Sequence, residues 1–484
     1  MSTSLERLAS ACLLPGFEGS EPPDWLLRAL DGGLGGVVLF SRNVVDRQQL
    51  ARLTASLRAA RPGVLVCVDE EGGDVTRLDA GWGSAYPGNL ALGVVDDPEL
   101  TRAVASSLGA ELGATGINLD LAPVADVNTN PDNPVIGVRS FGADPALVAR
   151  HVVSFVEGLQ HAGVAACAKH FPGHGDTSVD SHVALPVVEK TLAELREVEL
   201  VPFRAAVQAG VQAVMTAHVV VPAISPLPAT VSREHLTGLL REELGFRGLA
   251  VTDALEMRAV DATVGRDEAA VLALAAGADA VCLGHDAGER ELDAARAVLV
   301  AAVRDGRLAE ERLAEAAARV VAAAAWASSA GGAGAAVRRD VGLEAARRAI
   351  RVEGTPLLDG PLLVIECTAE RLLAADPTAC SLGDLLRERE PATLVRAAGS
   401  SDDAGRLLAG GDGRRPVLVL RDAHRHAWQR PLAEAVLRRR PDTVVVDVGL
   451  PAWRPPAAAG YVAAYGCGLA NLLAVAERVA PASR

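Results

Sequence analysis

Between residue 24 and about residue 327 the chain alternates between two kinds of text. Short runs of Val, Ile and Leu are followed by longer stretches in which apolar residues recur every three or four positions among Ala, Arg and Glu. The first kind reads as buried strand and the second as amphipathic helix. Strands are expected at Gly36–Phe40, Val64–Val68, Ile117–Leu121, Val164–Ala168, Ala213–Ala217, Leu249–Thr252 and Ala278–Leu283. Helices are expected at 46–60, 97–114, 145–161, 191–209, 233–244 and 266–276, and two more at 287–303 and 308–327 close the series. Asp46, Asp97-Pro98 and Asp144-Pro145 read as helix starts, and Gly163 and Gly210 as helix stops.

Strands alternating with helices over roughly 250 to 300 residues imply a (β/α)8 TIM-type barrel or a doubly wound sheet. Asp69, Asp120, Lys169-His170, His218, Asp253 and His285 each follow a different strand. An open sheet gathers its site at one switch point, whereas a closed barrel points every strand end at one mouth. So many ionisable strand ends favour the barrel. Seven strands are legible, so an eighth is missed, fused or lost.

The small-residue stretch Ser328–Gly334 is the natural linker. The expected organisation is a barrel over 1–330, a linker and helix over 331–354, and a C-terminal α/β domain over 355–484. That last part carries strand text at Leu362–Glu366, Val417–Leu420, Thr443–Val448 and Tyr461–Tyr465, with helices at 427–438 and 468–479 after one at about 341–352. It contains no phenylalanine, whereas all seven lie before residue 247.

Composition narrows the partners. A net charge of −14 argues against nucleic acid or an anionic membrane surface. Seven scattered cysteines, never in a C-x-x-C pair, give no disulfide framework and suit a reducing compartment. Glu6 and Arg7 interrupt what a signal peptide would need as an apolar region, and no run reaches the ~18 apolar residues of a membrane span. A cytoplasmic protein is expected, with Cys12 buried in a first core helix or strand.

The densest chemistry is K-H-F-P-G-H-G-D-T-S-V-D-S-H, Lys169 to His182, which holds three of the ten histidines in fourteen residues. Its glycines and Pro172 predict a folded loop after the Val164–Ala168 strand. In the Asp180/His182 pair a carboxylate can hold one imidazole nitrogen while the other exchanges a proton with substrate. Asp253, after an apolar strand, can serve as a nucleophile or electrostatic stabiliser, or equally as a helix N-cap. Asp69 to Arg77 either supplies carboxylates and an arginine fork suited to sugar hydroxyls or is a metal-binding or merely solvated acidic loop, and Arg139 offers a second fork. Asn118–Asn128, with Asp120 and Asp126, is ambiguous. His170, His174, His182 and His218 could ligate a metal, but Phe-Pro-Gly between the first two prevents the one-face helical spacing of a zinc motif. Gly466-Cys467-Gly468 is an incomplete dinucleotide fingerprint and reads as a turn.

Taken together these segments resemble glycoside hydrolase family 3, in particular its bacterial β-N-acetylglucosaminidases (β-N-acetylhexosaminidases). The resemblance is carried by L-F-S-R-N at 39–43, V-D-E-E-G-G at 68–73, N-L-D-L-A-P-V-A-D-V-N at 118–128 and R-S-F-G at 139–142, then by the 169–182 block, M-T-A-H at 215–218 and V-T-D-A-L at 251–255. It implies a retaining exo-acting hydrolase, with Asp253 as nucleophile and His182 as general acid/base partnered by Asp180. It implies that Asp69, Arg77, Arg139, Lys169 and His170 hold the terminal sugar. It also implies an αβα sandwich after the barrel. No cofactor and no metal are expected, with metal kept as the minority reading. Glu70 and Asp74 stand where related sequences often carry glutamine and arginine.

An imidazole proton donor departs from the usual pair of carboxylates. Because a neutral imidazole does not repel an anion, phosphate is open as an acceptor beside water. An aromatic content of 3% suits a small amino-sugar glycoside, such as a wall-derived disaccharide or muropeptide, better than a long polysaccharide. The alternatives are a β-glucosidase of the same family, a non-catalytic sugar-binding protein and a metal-dependent hydrolase.

Overall fold

Eight parallel strands build the first part of the chain: β1 (Leu13–Pro15), β2 (Gly36–Leu39), β3 (Leu65–Val68), β4 (Leu119–Asp120), β5 (Ala165–Phe171), β6 (Ala213–Thr216), β7 (Leu249–Val251) and β8 (Val281–Gly284). They are seen in a computed structural model that describes residues 4–179, 185–257, 264–285, 287–330, 335–368, 380–456 and 458–480. Strands β2 to β7 form one parallel sheet in chain order, and β8 pairs in parallel with β1. A parallel bridge between Val251 and Ala280 joins the two sheets, and the Gly35 amide donates to the Ser10 carbonyl just ahead of β2 and β1.

The interior shows why this curls into a (β/α)8-type barrel. Leu14, Val38, Cys67, Leu119, Cys167, Met215, Val251 and Cys282, one from each strand, meet in a single buried cluster. Removing that apolar area from water is what favours the curled sheet over a flat one. The helix Glu310–Ser329 adds Val320, Ala323 and Ala324 to the same cluster. It therefore plugs the barrel beneath the strands.

The eighth strand is β1, three residues long and just after Cys12, which is buried between the helix Ser4–Ala11 and β1. Three residues cannot establish a period, so the pattern passes over it. Strand β5 runs three residues beyond the expected end, so Lys169 and His170 lie in the strand and not on a loop. Phe171 still pairs with Thr216, and Lys169 bridges to Val124, because this backbone is buried and must find partners. The expected helix 191–209 is two helices, Leu192–Glu197 and Leu200–Gln208. Pro202 cannot donate to Val198, and the break puts it in a first turn, where no donor is needed. Asp46 and Asp144 do cap their helices, accepting from the Gln49 and Leu147 amides.

The chain divides into two compact units. One comprises Met1–Glu71, Pro98–Ile136 and Gly142–Arg338; the other comprises Gly72–Asp97, Gly137–Phe141 and Arg339–Arg484. The second holds a six-stranded sheet made of β9 (Arg351–Gly354), β10 (Leu362–Cys367), β11 (Leu394–Ala398), β12 (Arg415–Leu420), β13 (Val444–Asp447) and β14 (Gly460–Ala463). Its order is β9-β14-β13-β12-β10-β11, all parallel except β9. Leu362, Val364, Val417, Val419, Val444 and Val446 face the helices Leu382–Arg389 and Leu469–Val479. Leu363, Ile365, Leu418, Leu420 and Val445 face the helix Gln429–Arg439 on the other side. This strict alternation, apolar on both faces, makes the αβα sandwich. The edge strands β9 and β11 escape the sequence pattern because Arg351–Gly354 is wholly exposed and Leu394–Val395-Arg396 is half-exposed.

Beneath the barrel, the buried Asp279 binds Arg241 and receives Arg312 at 2.5 Å, Arg319 at 3.0 Å and the Ala250 amide at 3.0 Å. Removing this carboxylate takes a partner from three guanidinium groups, of which Arg312 and Arg319 keep Glu315. Asp279→Ala is expected to cost about 3–5 kcal/mol in denaturant unfolding, with Asp279→Asn costing less. A loss below about 1 kcal/mol would show that this cluster is solvent-relaxed and does not lock the plug.

Candidate active site

In a parallel barrel the C-terminal strand ends share one mouth. Asp69 follows β3, Asp120 ends β4, Lys169 and His170 lie in β5, His218 follows β6 and Asp253 follows β7. Their charges converge inward as well. Burial pushes the Cys167 thiol up from its ordinary value, Lys169 pulls against this, and Asp69, Asp120 and Asp253 add to the rise.

Lys169 is 2% exposed, and its ammonium lies 2.6 Å from Asp69 Oδ1 and 2.7 Å from Glu71 Oε1. A buried ammonium needs paired acceptors, and two carboxylates from the β3 end supply them. Asp120, fully buried, accepts from the Glu70 amide at 3.0 Å and so fixes the same acidic turn. Burial holds its carboxyl well above the usual range.

Asp126 organises the next layer. Its Oδ2 lies 2.7 Å from His170 Nδ1, and its Oδ1 accepts from the His174 amide at 2.7 Å. Burial alone would raise this carboxyl, but His170 and His174 hold it below its ordinary value. His174 has a different task from His170. The Thr177 hydroxyl donates to the His174 carbonyl at 3.0 Å, so it accepts from His174 Nδ1 at 2.7 Å. Burial pushes His174 down to about 4, so it is a neutral pin at neutral pH. Asn133 also donates to the His174 carbonyl, at 2.8 Å. Gly175 is required here because a Cβ would sit 1.9 Å from the Val127 carbonyl oxygen. The 169–177 backbone is thus held to the barrel by these hydrogen bonds; its Lys169–His170 and Phe171–Pro172 peptide bonds are cis.

Asp253 is half-buried, and its Oδ1 accepts from the Ala254 amide at 2.8 Å. The next described helix starts at Arg266, capped by Gly265, so Asp253 does not cap it. His218 Nε2 lies 2.9 Å from the Ala254 carbonyl, which only an N–H can satisfy. His218 therefore braces the residue next to Asp253, with Nδ1 facing the Thr230 hydroxyl at 2.8 Å.

The structure brings together Asp69, Lys169, His170 and Asp253 among the sequence candidates. Arg77 and Arg139 are buried and fold with the second unit, in the stretches Gly72–Asp97 and Gly137–Phe141. The Asn89 side chain donates to the Arg139 carbonyl at 2.7 Å, holding those two stretches together. Asp180 and His182 lie outside the described residues. Glu71 as a partner of Lys169, and Asp126 as the clamp on two histidines, were not singled out by sequence. The available signal was the acidic doublet beside Asp69 for the first and a carboxylate in a strand-end run for the second. Among the described residues no three His, Cys, Asp or Glu side chains converge as a metal site requires. No described helix is long and apolar enough to cross a membrane.

A mouth of paired carboxylates, an ammonium and an imidazole suits a polyhydroxylated, uncharged ligand with a reacting carbon near Asp253. Comparison with known proteins agrees with this chemistry. The glycosyl hydrolase family 3 N-terminal domain matches residues 26–323, and the chain belongs to that family. Within the family its likeness is to enzymes of amino sugars. Over 283 residues it is 40% identical to a β-hexosaminidase of Stenotrophomonas maltophilia (strain K279a), covering 56% of this chain and 83% of that one. It is 35% identical over 314 residues to β-hexosaminidase A of Pseudoalteromonas piscicida, a match covering 59% of this chain and about half, 52%, of that protein. The structure of a family 3 β-N-acetylglucosaminidase from Paenibacillus sp. str. FPU-7 matches with a TM-score of 0.88 at 35% identity, over 99% of this chain and 97% of that chain.

His174 sets an acid limit on stability. Folded, it takes a proton only near pH 4; unfolded, near about 6.5. The unfolded chain binds more protons between those values, so stability is complete above about pH 6.5 and falls as pH drops toward 4. The buried His235, also pushed down to about 4 by burial, acts in the same window. Each contributes on the order of 3 kcal/mol across it. Asp126, held low, extends the loss to lower pH. Denaturant unfolding of His174→Asn at about pH 7 and about pH 5 is expected to show a shallower acid loss than wild type. An identical loss in both proteins would contradict the assignment.

Proposed function

We propose that this chain is a retaining, exo-acting β-N-acetylglucosaminidase that removes terminal N-acetylglucosamine from small glycosides. The observation that carries the reading is Asp253 at the same barrel mouth as the Lys169–Asp69–Glu71 and His170–Asp126 clusters. Lys169 and His170 donate to sugar hydroxyls while Asp69 accepts from them, and the strand end holds all three in fixed positions. By the sequence resemblance Arg77 and Arg139 are sugar-binding residues as well.

The reaction runs in two displacements. Asp253 attacks the anomeric carbon, the glycosidic bond breaks, and the leaving oxygen takes a proton from His182. A covalent glycosyl ester on Asp253 results. His182, now neutral and oriented by Asp180, then takes a proton from water as the water oxygen attacks the anomeric carbon, and Asp253 departs. Phosphate serves in place of water where it reaches the site, since neutral imidazole opposes an anion less than a carboxylate would. The sparse aromatics point to small substrates such as wall-derived disaccharides and muropeptides, and hence to peptidoglycan recycling. Seven thiols and no disulfide favour a reducing cytoplasm.

The test is release of the aryl group from an aryl β-N-acetylglucosaminide by wild type and Asp253→Ala, with products identified in water and in phosphate. Wild-type turnover should fall roughly a thousandfold or more in the variant. A sugar 1-phosphate product assigns phosphate as the acceptor. Turnover of only the plain β-glucoside would make the chain a β-glucosidase, and binding without turnover of either would make it a sugar-binding protein.

A further inference from the structure

The sheet of the second unit changes its winding direction between β10 and β12. In open α/β sheets that point, at the C-terminal strand ends, is where ligands sit. A cavity of about 180 Å³ lies there, lined by Glu366, Cys367, Cys380, Ser381, Arg421 and Cys467 among others. Three of the seven cysteines therefore face one cavity. The Arg421 guanidinium is buried, with Nη1 2.7 Å from Cys467 Sγ and Nη2 2.6 Å from Asp74 Oδ2. The other Asp74 oxygen accepts from the Cys467 amide at 2.8 Å. Burial alone would lower the Arg421 pKa, but the Cys467 sulfur and Asp74 raise it above its ordinary value. Cys467 also precedes Gly468, the N-cap of an eleven-residue helix, whose dipole favours negative charge. A neighbouring arginine and a helix N-terminus are the two surroundings that favour a thiolate over a thiol.

We propose that Cys467 is a nucleophilic thiolate and that this cavity is a site of thiol–disulfide exchange with small disulfides. The thiolate attacks one sulfur of R–S–S–R; a Cys467–S–S–R bond forms, the original S–S bond breaks, and R–S⁻ leaves and takes a proton from solvent. The disulfide is the only oxidant needed. The adduct removes the negative sulfur that Arg421 faces and crowds the amide that Asp74 accepts from. It thereby loosens the anchor of the stretch Gly72–Asp97.

The proposal is tested on the intact protein with 2-hydroxyethyl disulfide, following each cysteine by peptide mass spectrometry as pH is varied. Cys467 should react about tenfold or more faster than Cys380 at about pH 6.5, with a rate that levels off below the ordinary thiol value of about 8.5. The barrel cysteines Cys12, Cys67, Cys167 and Cys282, all buried, serve as slow references in the same sample. Arg421→Met should return Cys467 to ordinary reactivity. Should that variant not fold, the wild-type pH profile carries the test alone. Amide exchange over 72–97 should quicken in the adduct. A Cys467 rate no greater than that of Cys380, or one climbing as an ordinary thiol does, overturns the nucleophile; unchanged exchange over 72–97 overturns the coupling to the anchor.

Discussion

Lys169 is an ammonium buried between carboxylates, and much of the barrel mouth follows from the need to pair it. An ammonium that is 2% exposed is stable only between acceptors placed before it arrives. Asp69 and Glu71 supply them from the β3 end, and Asp120 holds the turn that carries both by accepting the Glu70 amide. The next residue, His170, is fixed by Asp126, which also holds the backbone of His174. Groups proposed to bind hydroxyls are thus set by neighbouring strands and not by mobile side chains, an arrangement that would lower the ordering cost of binding a sugar.

The barrel was legible where burial produces long, regular apolar runs. Strands β2 to β8 lie on runs marked by sequence alone, and the helix caps at Asp46 and Asp144 follow directly from residue type. What escaped was short or exposed. Strand β1 has three residues, and β9 has no buried side chain, so neither leaves a periodic trace. The site was legible as a set of strand-end residues but not as a network. Nothing local to Asp126 tells that it will clamp two histidines more than forty positions away, because that pairing is made by the barrel and not by the motif. The reverse holds for His174, which the sequence offers as a metal-ligand candidate and which the fold uses as a neutral pin.

The second unit is built differently, by strict alternation of apolar residues on two faces of one sheet. It also claims two stretches that sequence order would give to the barrel, those bearing Arg77 and Arg139. Their attachment combines an apolar cluster, Leu90 and Val138 with Val94, Leu450 and Tyr465, with buried polar contacts of Asp74 to Arg421 and Cys467. Asp74 is thus matched by a buried arginine, Arg421, just past the end of β12.

The central claim is that Asp253 carries the sugar during turnover. It is tested most directly by mass spectrometry of the intact protein after exposure to a 5-fluoro N-acetylglucosaminide bearing a good leaving group, since the fluorine slows both formation and breakdown of the ester while the good leaving group speeds formation alone, so the ester accumulates. The account predicts a mass increase of one fluorinated sugar per chain, mapped after proteolysis to the peptide containing Asp253. Modification of another carboxylate, or aryl release with no adduct on the protein, would contradict it.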